Sequence, residues 1–302
     1  MADSNPASAR ISATLIGAAE VDTAVRSFMR TTPPHRRWDV EHSFDWGAAD
    51  ADRLTEGERS AVEFITLIED HLPGYFAMYD KFFPVDDTVE LDVFEHNREL
   101  YHFSVRWAQE EDTHARVLKE YQIASGIADP ASLRHQLAIE GRKRFDVDYD
   151  HAVQFFTYPL VQEKATQIYY QRLRNVVSDP LLREILGRLS RDEARHFAFF
   201  CDIVEQYLKK YGDAAIEPMR AVIADFRMPL ADTIRGYWRW ALRIADTATY
   251  DHTDAYEHLI KVVNRAVDAK SNKFDELVEF VAACRSLSVG ARIDVGETVT
   301  AR

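Results

Sequence analysis

Two Glu-x-x-His pairs, Glu111/His114 in WAQEEDTHARVL and Glu193/His196 in LSRDEARHFAFF, constrain this chain more than any other feature. Each pair lies in a strongly helical stretch, and positions three apart share one helix face. A carboxylate and an imidazole on one face can bind one metal ion, and two such helices facing each other can hold two. With 11 histidines among 302 residues, about one Glu-x-x-His arises by chance. A third, Glu99/His102, precedes Glu111/His114 on the same helix and is turned roughly 120° about the axis, so it cannot face the same site. The pairs alone leave ordinary surface or core-edge residues as an equal reading, and further ligands are required.

A two-metal centre of this type takes one Glu from each of two more helices. Glu69, in the apolar run AVEFITLIED, and Glu163, after FFTYPLVQ, are the candidates. The order 69, 111, 163, 193 leaves room between successive ligands for half a helix, a loop and a returning half-helix. At about 1.5 Å of rise per residue, such intervals bring four ligands to one height in a bundle.

Only 11 glycines, long stretches of period near 3.6 and almost no alternating runs predict a nearly all-α protein. No Gly/Ser/Pro-rich linker divides it, so residues 1–302 are expected to form one domain, with 1–30 and 288–302 weakly ordered. Helices are expected over 57–83, 87–124, 131–145, 149–177, 179–211, 214–228, 231–246, 253–268 and 272–287. Pro73 should bend the first beside Glu69, because it cannot donate to that residue's carbonyl, and Pro159 stands in the mirrored relation before Glu163.

A net charge of −13 argues against a nucleic-acid partner. An acidic protein partner would need a local basic patch, for which His35-Arg36-Arg37 and Arg142-Lys143-Arg144 are candidates. Cys201 and Cys284 sit in apolar helical sequence and read as buried free thiols in a reducing compartment. The N-terminal stretch is polar and no apolar run is long enough to span a bilayer, so neither a signal peptide nor a membrane-spanning segment is expected. The expected location is cytoplasmic, or plastid in a plant.

On these residues the chain resembles the soluble acyl-[acyl-carrier-protein] desaturases, ferritin-like di-iron enzymes that include plant stearoyl desaturase. The family's Glu-Glu-Ala-Leu-Pro-Thr-Tyr is matched by Glu69-Asp70-His71-Leu72-Pro73-Gly74-Tyr75, and its second ligand helix by Trp107-Ala108-x-Glu110-Glu111-x-x-His114. Gln162-Glu163-Lys164-Ala165-Thr166 is similar to Gln-Glu-Arg-Ala-Thr, and Asp192-Glu193-x-Arg195-His196 completes the set. Weaker similarity reaches Arg36-Arg37-Trp38 upstream and Met228-Pro229 downstream, so it covers most of the chain. The plant members continue beyond the point where this sequence stops.

The resemblance implies a ferritin-like four-helix bundle elaborated with additional helices. It implies two iron ions held by Glu69, Glu111, His114, Glu163, Glu193 and His196, with Glu111 and Glu193 bridging. Thr166 would deliver a proton beside the irons. Asp192 would accept from the ring N–H of His114, and Trp38 would extend that chain to the surface as an electron path. Met78, Lys81 and Phe82 occupy positions that shape the substrate channel in the relatives, and their bulk points to a shorter or functionalised acyl group.

The implied activity is O₂-dependent insertion of a double bond into an acyl chain on acyl carrier protein, in a homodimer. Electrons would come from a ferredoxin-like donor, since no Gly-x-Gly-x-x-Gly nucleotide turn is present. Arg36 and Arg37 are the candidate carrier-docking residues. The alternative is a di-iron oxygenase, hydroxylating or N-oxygenating a carrier-bound or free metabolite, because the same ligands support both outcomes.

Overall fold

The computed structural model describes residues 6–266 and 271–299, with 35 and 287–299 as backbone alone. Among these residues there is no strand, and the helices are α1 (Pro6–Ser12), α2 (Ala18–Thr31), α3 (Glu56–Glu69), α4 (Leu72–Phe82), α5 (Leu91–Ser125), α6 (Pro130–Gly141), α7 (Ala152–Val176), α8 (Pro180–Tyr211), α9 (Ile216–Ala224), α10 (Tyr237–Ala248), α11 (Tyr256–Ala266) and α12 (Asn272–Val299). The all-α expectation is met. A four-helix core of α3, α5, α7 and α8 carries the remaining helices on its flanks.

Local chemistry sets the ends of the core helices. Thr55 and Glu58 form a reciprocal capping box at the start of α3, with Glu58 N donating to Thr55 Oγ1 at 3.2 Å and Thr55 N to Glu58 Oε2 at 2.7 Å. Asp179 caps α8 by accepting from Leu182 N at 2.8 Å, and Pro180 takes the first helical position, where its missing N–H costs nothing. Gly126 ends the long α5 at φ 81°, a conformation a side chain would strain.

Two apolar cores stack along the bundle and the polar residues of interest lie between them. One contains Phe103, Phe156, Leu160 and Phe199; the other contains Ile65, Leu118, Tyr170 and Leu186. On α5, α7 and α8 the change from one core to the other falls at Glu110–His114, Glu163–Thr166 and Asp192–His196 respectively. The site is thus sealed above and below by packed side chains, which keeps the local dielectric low.

The structure departs from the sequence expectations at both ends and at Pro73. Residues 6–12 and 18–31, expected to be weakly ordered, are helical. Val21, Ala24, Val25 and Phe28 give α2 one apolar face, and Phe28 packs its ring 5.0 Å from Phe103 and 5.8 Å from Phe199. At the other end α12 runs through the expected tail to Val299, while 300–302 lie outside the described residues. Pro73 does not bend one helix but separates two: α3 stops at Glu69 and α4 restarts with Pro73 in its first turn. Glu69 therefore stands at a helix end, beside a turn in which Gly74 N bonds His71 O at 2.9 Å. Pro159 stays inside α7.

Candidate metal centre

Six side chains converge at the middle of the bundle: Glu69 from α3, Glu111 and His114 from α5, Glu163 from α7, and Glu193 and His196 from α8. They form two overlapping groups, Glu69/Glu111/His114/Glu193 and Glu111/Glu163/Glu193/His196, each with ligand atoms within 4.8 Å of one another. Glu111 and Glu193 belong to both. Glu111 Oε2 lies 3.7 Å from His114 Nδ1 while its Oε1 lies 2.9 Å from His196 Nδ1. Glu193 divides its oxygens likewise, with Oε1 at 3.3 Å from His114 Nδ1 and Oε2 at 3.5 Å from His196 Nδ1. Of the two histidines, Glu69 Oε2 approaches His114, at 3.9 Å, and Glu163 Oε2 approaches His196, at 3.5 Å.

The outward-facing atoms are satisfied and the inward-facing ones are not. His114 Nε2 meets Asp192 Oδ2 at 3.3 Å, and His196 Nε2 meets Glu110 Oε2 at 2.9 Å. A carboxylate only accepts, so each ring carries a proton on Nε2 and turns Nδ1 inward. Glu69 Oε1 accepts from Tyr170 Oη, and Glu163 Oε1 accepts from Trp107 Nε1 at 3.2 Å. Both Nδ1 atoms, Glu111 Oε1, Glu163 Oε2 and both Glu193 oxygens are buried and find no hydrogen-bond partner outside the cluster itself. Orphaned acceptors on this scale are costly unless a cation sits among them. Nitrogen and carboxylate donors in this number fit a pair of divalent first-row transition metals.

Charge in the cluster is shared unevenly. Burial and the charges of Glu111 and Glu193 hold the Glu69 carboxyl well above its ordinary range, and burial and Glu193 do the same to Glu163. Burial also opposes ionisation of Glu111, but His114 and His196 outweigh it and lower its pKa. Burial disfavours charge on both histidines, yet the surrounding carboxylates raise them. Protons are what the cluster uses to balance itself when no cation is bound.

A second layer ties the two histidines together. Arg195 donates to Asp192 Oδ1 and pairs with Glu110 Oε2 at 2.9 Å, so one guanidinium serves the partners of both rings. Arg106 adds an ion pair to Glu110 Oε1 at 2.5 Å. Trp38 Nε1 donates to Asp192 Oδ2 at 2.9 Å, and its ring lies nearly parallel to His114, 10° apart with centres at 6.3 Å. The sequence reading placed Asp192 and Trp38 in this chain, whereas it assigned nothing to Glu110, Arg195, Tyr170 or Trp107. Trp107, Glu110 and Arg195 stand inside the quoted motifs, while Tyr170, one turn after Thr166, had no distinguishing signal.

The remaining expected site residues divide. Thr166 is buried one turn after Glu163, with Gln162 Nε2 at 3.5 Å from its hydroxyl. Met78 lines a narrow apolar cavity of about 50 Å³ with Tyr79, Trp107, Phe155, Pro159 and Gln162. Lys81 does not line it, and instead binds Asp146 Oδ1 at 2.6 Å and Val147 O at 2.9 Å. Phe82 is fully buried behind the wall, stacked 6.1 Å from Tyr149 and edge-on to Phe155 at 5.6 Å. A second, larger apolar groove of about 540 Å³ runs between α3, α7 and α10 and reaches Ile68 and Thr166. Arg36 and Arg37 are exposed beside Trp38, where Arg37 faces α5 and α8. Arg37 thus lies against the α5/α8 face, whereas the groove lies against the α3/α7 face.

A helix bundle with a buried four-carboxylate, two-histidine cluster defines a protein equipped to hold metal in its core. The chain belongs to the fatty acid desaturase family, whose model matches residues 49–283. It is 24% identical over 206 residues to acyl-[acyl-carrier-protein] desaturase DesA2 of Mycobacterium tuberculosis, covering 68% of this chain and 70% of that protein. Chloroplastic acyl-[acyl-carrier-protein] desaturase 6 of Oryza sativa is 28% identical over 173 residues, 51% of this chain and 41% of its own length. The solved DesA2 structure superposes with a TM-score of 0.61 at 18% identity, covering 86% of this chain and 98% of that one, which shows the shared fold. No helix among the described residues is long and apolar enough to cross a membrane, and both cysteines are free thiols, Cys201 buried as expected but Cys284 only half-buried.

Proposed function

We propose that this chain is an O₂-dependent di-iron desaturase that inserts a double bond into an acyl chain carried on acyl carrier protein, with electrons from a ferredoxin-like donor. The observation that carries the reading is the inward orphaning of Nδ1 on both histidines and of the Glu111, Glu163 and Glu193 oxygens inside a member of the desaturase family. Glu69 and His114 would hold one iron, Glu163 and His196 the other, and Glu111 and Glu193 would lie between them. When bound, the pair supplies O₂ reduction and the oxidising power to remove two hydrogens from adjacent carbons. Overall, O₂, two electrons, two protons and the two hydrogens taken from the chain become two waters as the saturated chain becomes an alkene.

The chain's own residues orient and seal. Asp192 and Glu110 fix the two imidazole tautomers, while Tyr170 and Trp107 hold the outer oxygens of Glu69 and Glu163 so that the other oxygen faces inward. The acyl chain would lie along the groove under α10, pass Thr166 and Gln162, and end in the cavity walled by Met78 and Phe155. Thr166 is buried beside that path, where its hydroxyl can hold and pass a proton. Electrons would arrive from the α5/α8 face through Trp38, Asp192 and His114.

Iron loading tests the reading first. Reconstitution with Fe(II) should reach two irons per chain, and O₂ consumption should then depend on both a reduced ferredoxin-type donor and an acyl carrier. A protein that binds no iron, or consumes O₂ equally without any acyl carrier, contradicts it.

A further inference from the structure

The groove under α10 has an unusual rim. Trp238 and Leu242 both line it, yet they are 62% and 56% exposed. Beside them Arg235, Arg239 and Arg243 follow at intervals of one helical turn, the first just ahead of the Gly236 cap of α10. All three are exposed. Arg239 lies over the Trp238 ring at 5.1 Å, and Arg243 reaches Ser60 Oγ with Nη1 at 3.4 Å and lies within electrostatic reach of Glu63. None of the three makes a close ion pair with a carboxylate among the described residues.

This stripe is out of keeping with the chain around it. The protein has 50 acidic residues and a net charge of −13, and other arginines near this groove are paired, as Arg227 is with Asp232 and Arg172 with Asp254. Nor do the arginines help α10 to fold. Arg239 lies in its first turn, which has no acidic residue, and the positive end of a helix disfavours a cation. Exposed positive charge without a close ion pair, next to two exposed apolar side chains, is what a complementary acidic surface with an apolar cargo would require.

We propose that α10 is the docking surface for the acidic carrier protein, which seats over Arg235, Arg239 and Arg243 while its acyl arm enters between Trp238 and Leu242. This rests on the function proposed above and moves the carrier from Arg36 and Arg37 to the α3/α7 face of the bundle. Continuity supports the placement, because the groove runs from this rim inward to Ile68 and Thr166, the neighbours of Glu69 and Glu163. Arg36 and Arg37, in contrast, flank Trp38 and suit the electron donor. An exposed helix with Trp and Arg also fits an anionic lipid surface; the inward groove, which accepts one chain from a single docked carrier, favours the protein.

The test is binding of an octanoyl-loaded bacterial acyl carrier protein to the iron-loaded protein, followed by fluorescence anisotropy at low and moderate salt. The R235E/R239E/R243E variant should weaken binding about tenfold or more and flatten its salt dependence. Its circular dichroism and iron content should match the wild type, and R36E/R37E should bind the carrier as the wild type does. Equal binding by the triple variant overturns the docking site while leaving the desaturase reading intact. If the wild type ignores the carrier at low salt but binds anionic phosphatidylglycerol vesicles through the same arginines, both the docking site and the carrier substrate fall.

Discussion

His114 and His196 face each other across the cluster with ring centres 5.9 Å apart, and each turns Nδ1 inward and Nε2 towards a carboxylate. That symmetry is imposed from outside the cluster, by Asp192 on one side and Glu110 on the other. Arg195 links the two carboxylates. The orientation of one imidazole is therefore coupled to that of the other through a single guanidinium.

Asp192→Asn and Glu110→Gln should each weaken iron binding about 10–100-fold, because the ring they orient loses its charged acceptor. Iron titration followed by absorbance checks this. Since Arg195 serves both carboxylates, the double variant should cost less than the sum of the singles. Strict additivity would show that the two sides are independent.

The metal-free protein should gain stability when an ionisable carboxyl is removed from its core. Burial and Glu193 hold the Glu163 carboxyl well above its ordinary range, so it must take up a proton on folding, a cost that Glu163→Gln removes with little change in packing. An increase of about 1–2 kcal/mol is expected without metal, seen as a higher Tm of the apo protein. The same variant should lose the large Tm rise that iron gives the wild type.

His96 should make the protein acid-sensitive. It is buried next to Asn97, and burial lowers its pKa from 6.5 to about 4. Between those values the unfolded chain binds a proton that the folded chain does not, so stability is full above pH 6.5 and falls as the pH drops towards 4. The loss amounts to roughly 3 kcal/mol. Denaturant unfolding at pH 7 and pH 4.5 should show a shallower loss for His96→Gln than for the wild type.

Phe155 should limit acyl length. Its ring meets Tyr79, Phe82 and Phe83 at 5.1, 5.6 and 4.8 Å and closes the narrow cavity beyond Gln162. Phe155→Leu should raise the kcat/KM ratio of longer over shorter acyl carriers about tenfold. An unchanged ratio would mean that the chain end lies elsewhere.

Much of the centre is legible in the sequence because ligands on helices obey a fixed spacing. Glu111/His114 and Glu193/His196 are set by helical periodicity, and Glu69 and Glu163 by apolar context at intervals that suit a bundle. What escaped was context that periodicity does not encode. Glu110 neighbours a ligand and lies about 100° around the helix, so it reads as solvent-facing until α8 and Arg195 cover it. Tyr170 gains its place only when α7 meets the end of α3. Lys81 is on a channel-shaping position by sequence register, yet the split at Pro73 starts a new helix with its own phase. The helical pattern Val21, Ala24, Val25, Phe28 was present in α2 but was outweighed by the polar residues before it.

Product mass is the decisive measurement. The iron-loaded protein, given O₂, a reduced ferredoxin-type donor and a panel of saturated acyl carrier proteins, should release an acyl chain lighter by two hydrogens, with product yield falling when Trp38→Phe slows reduction. An acyl chain heavier by one oxygen atom, or no product from protein shown to hold two irons, would contradict desaturation.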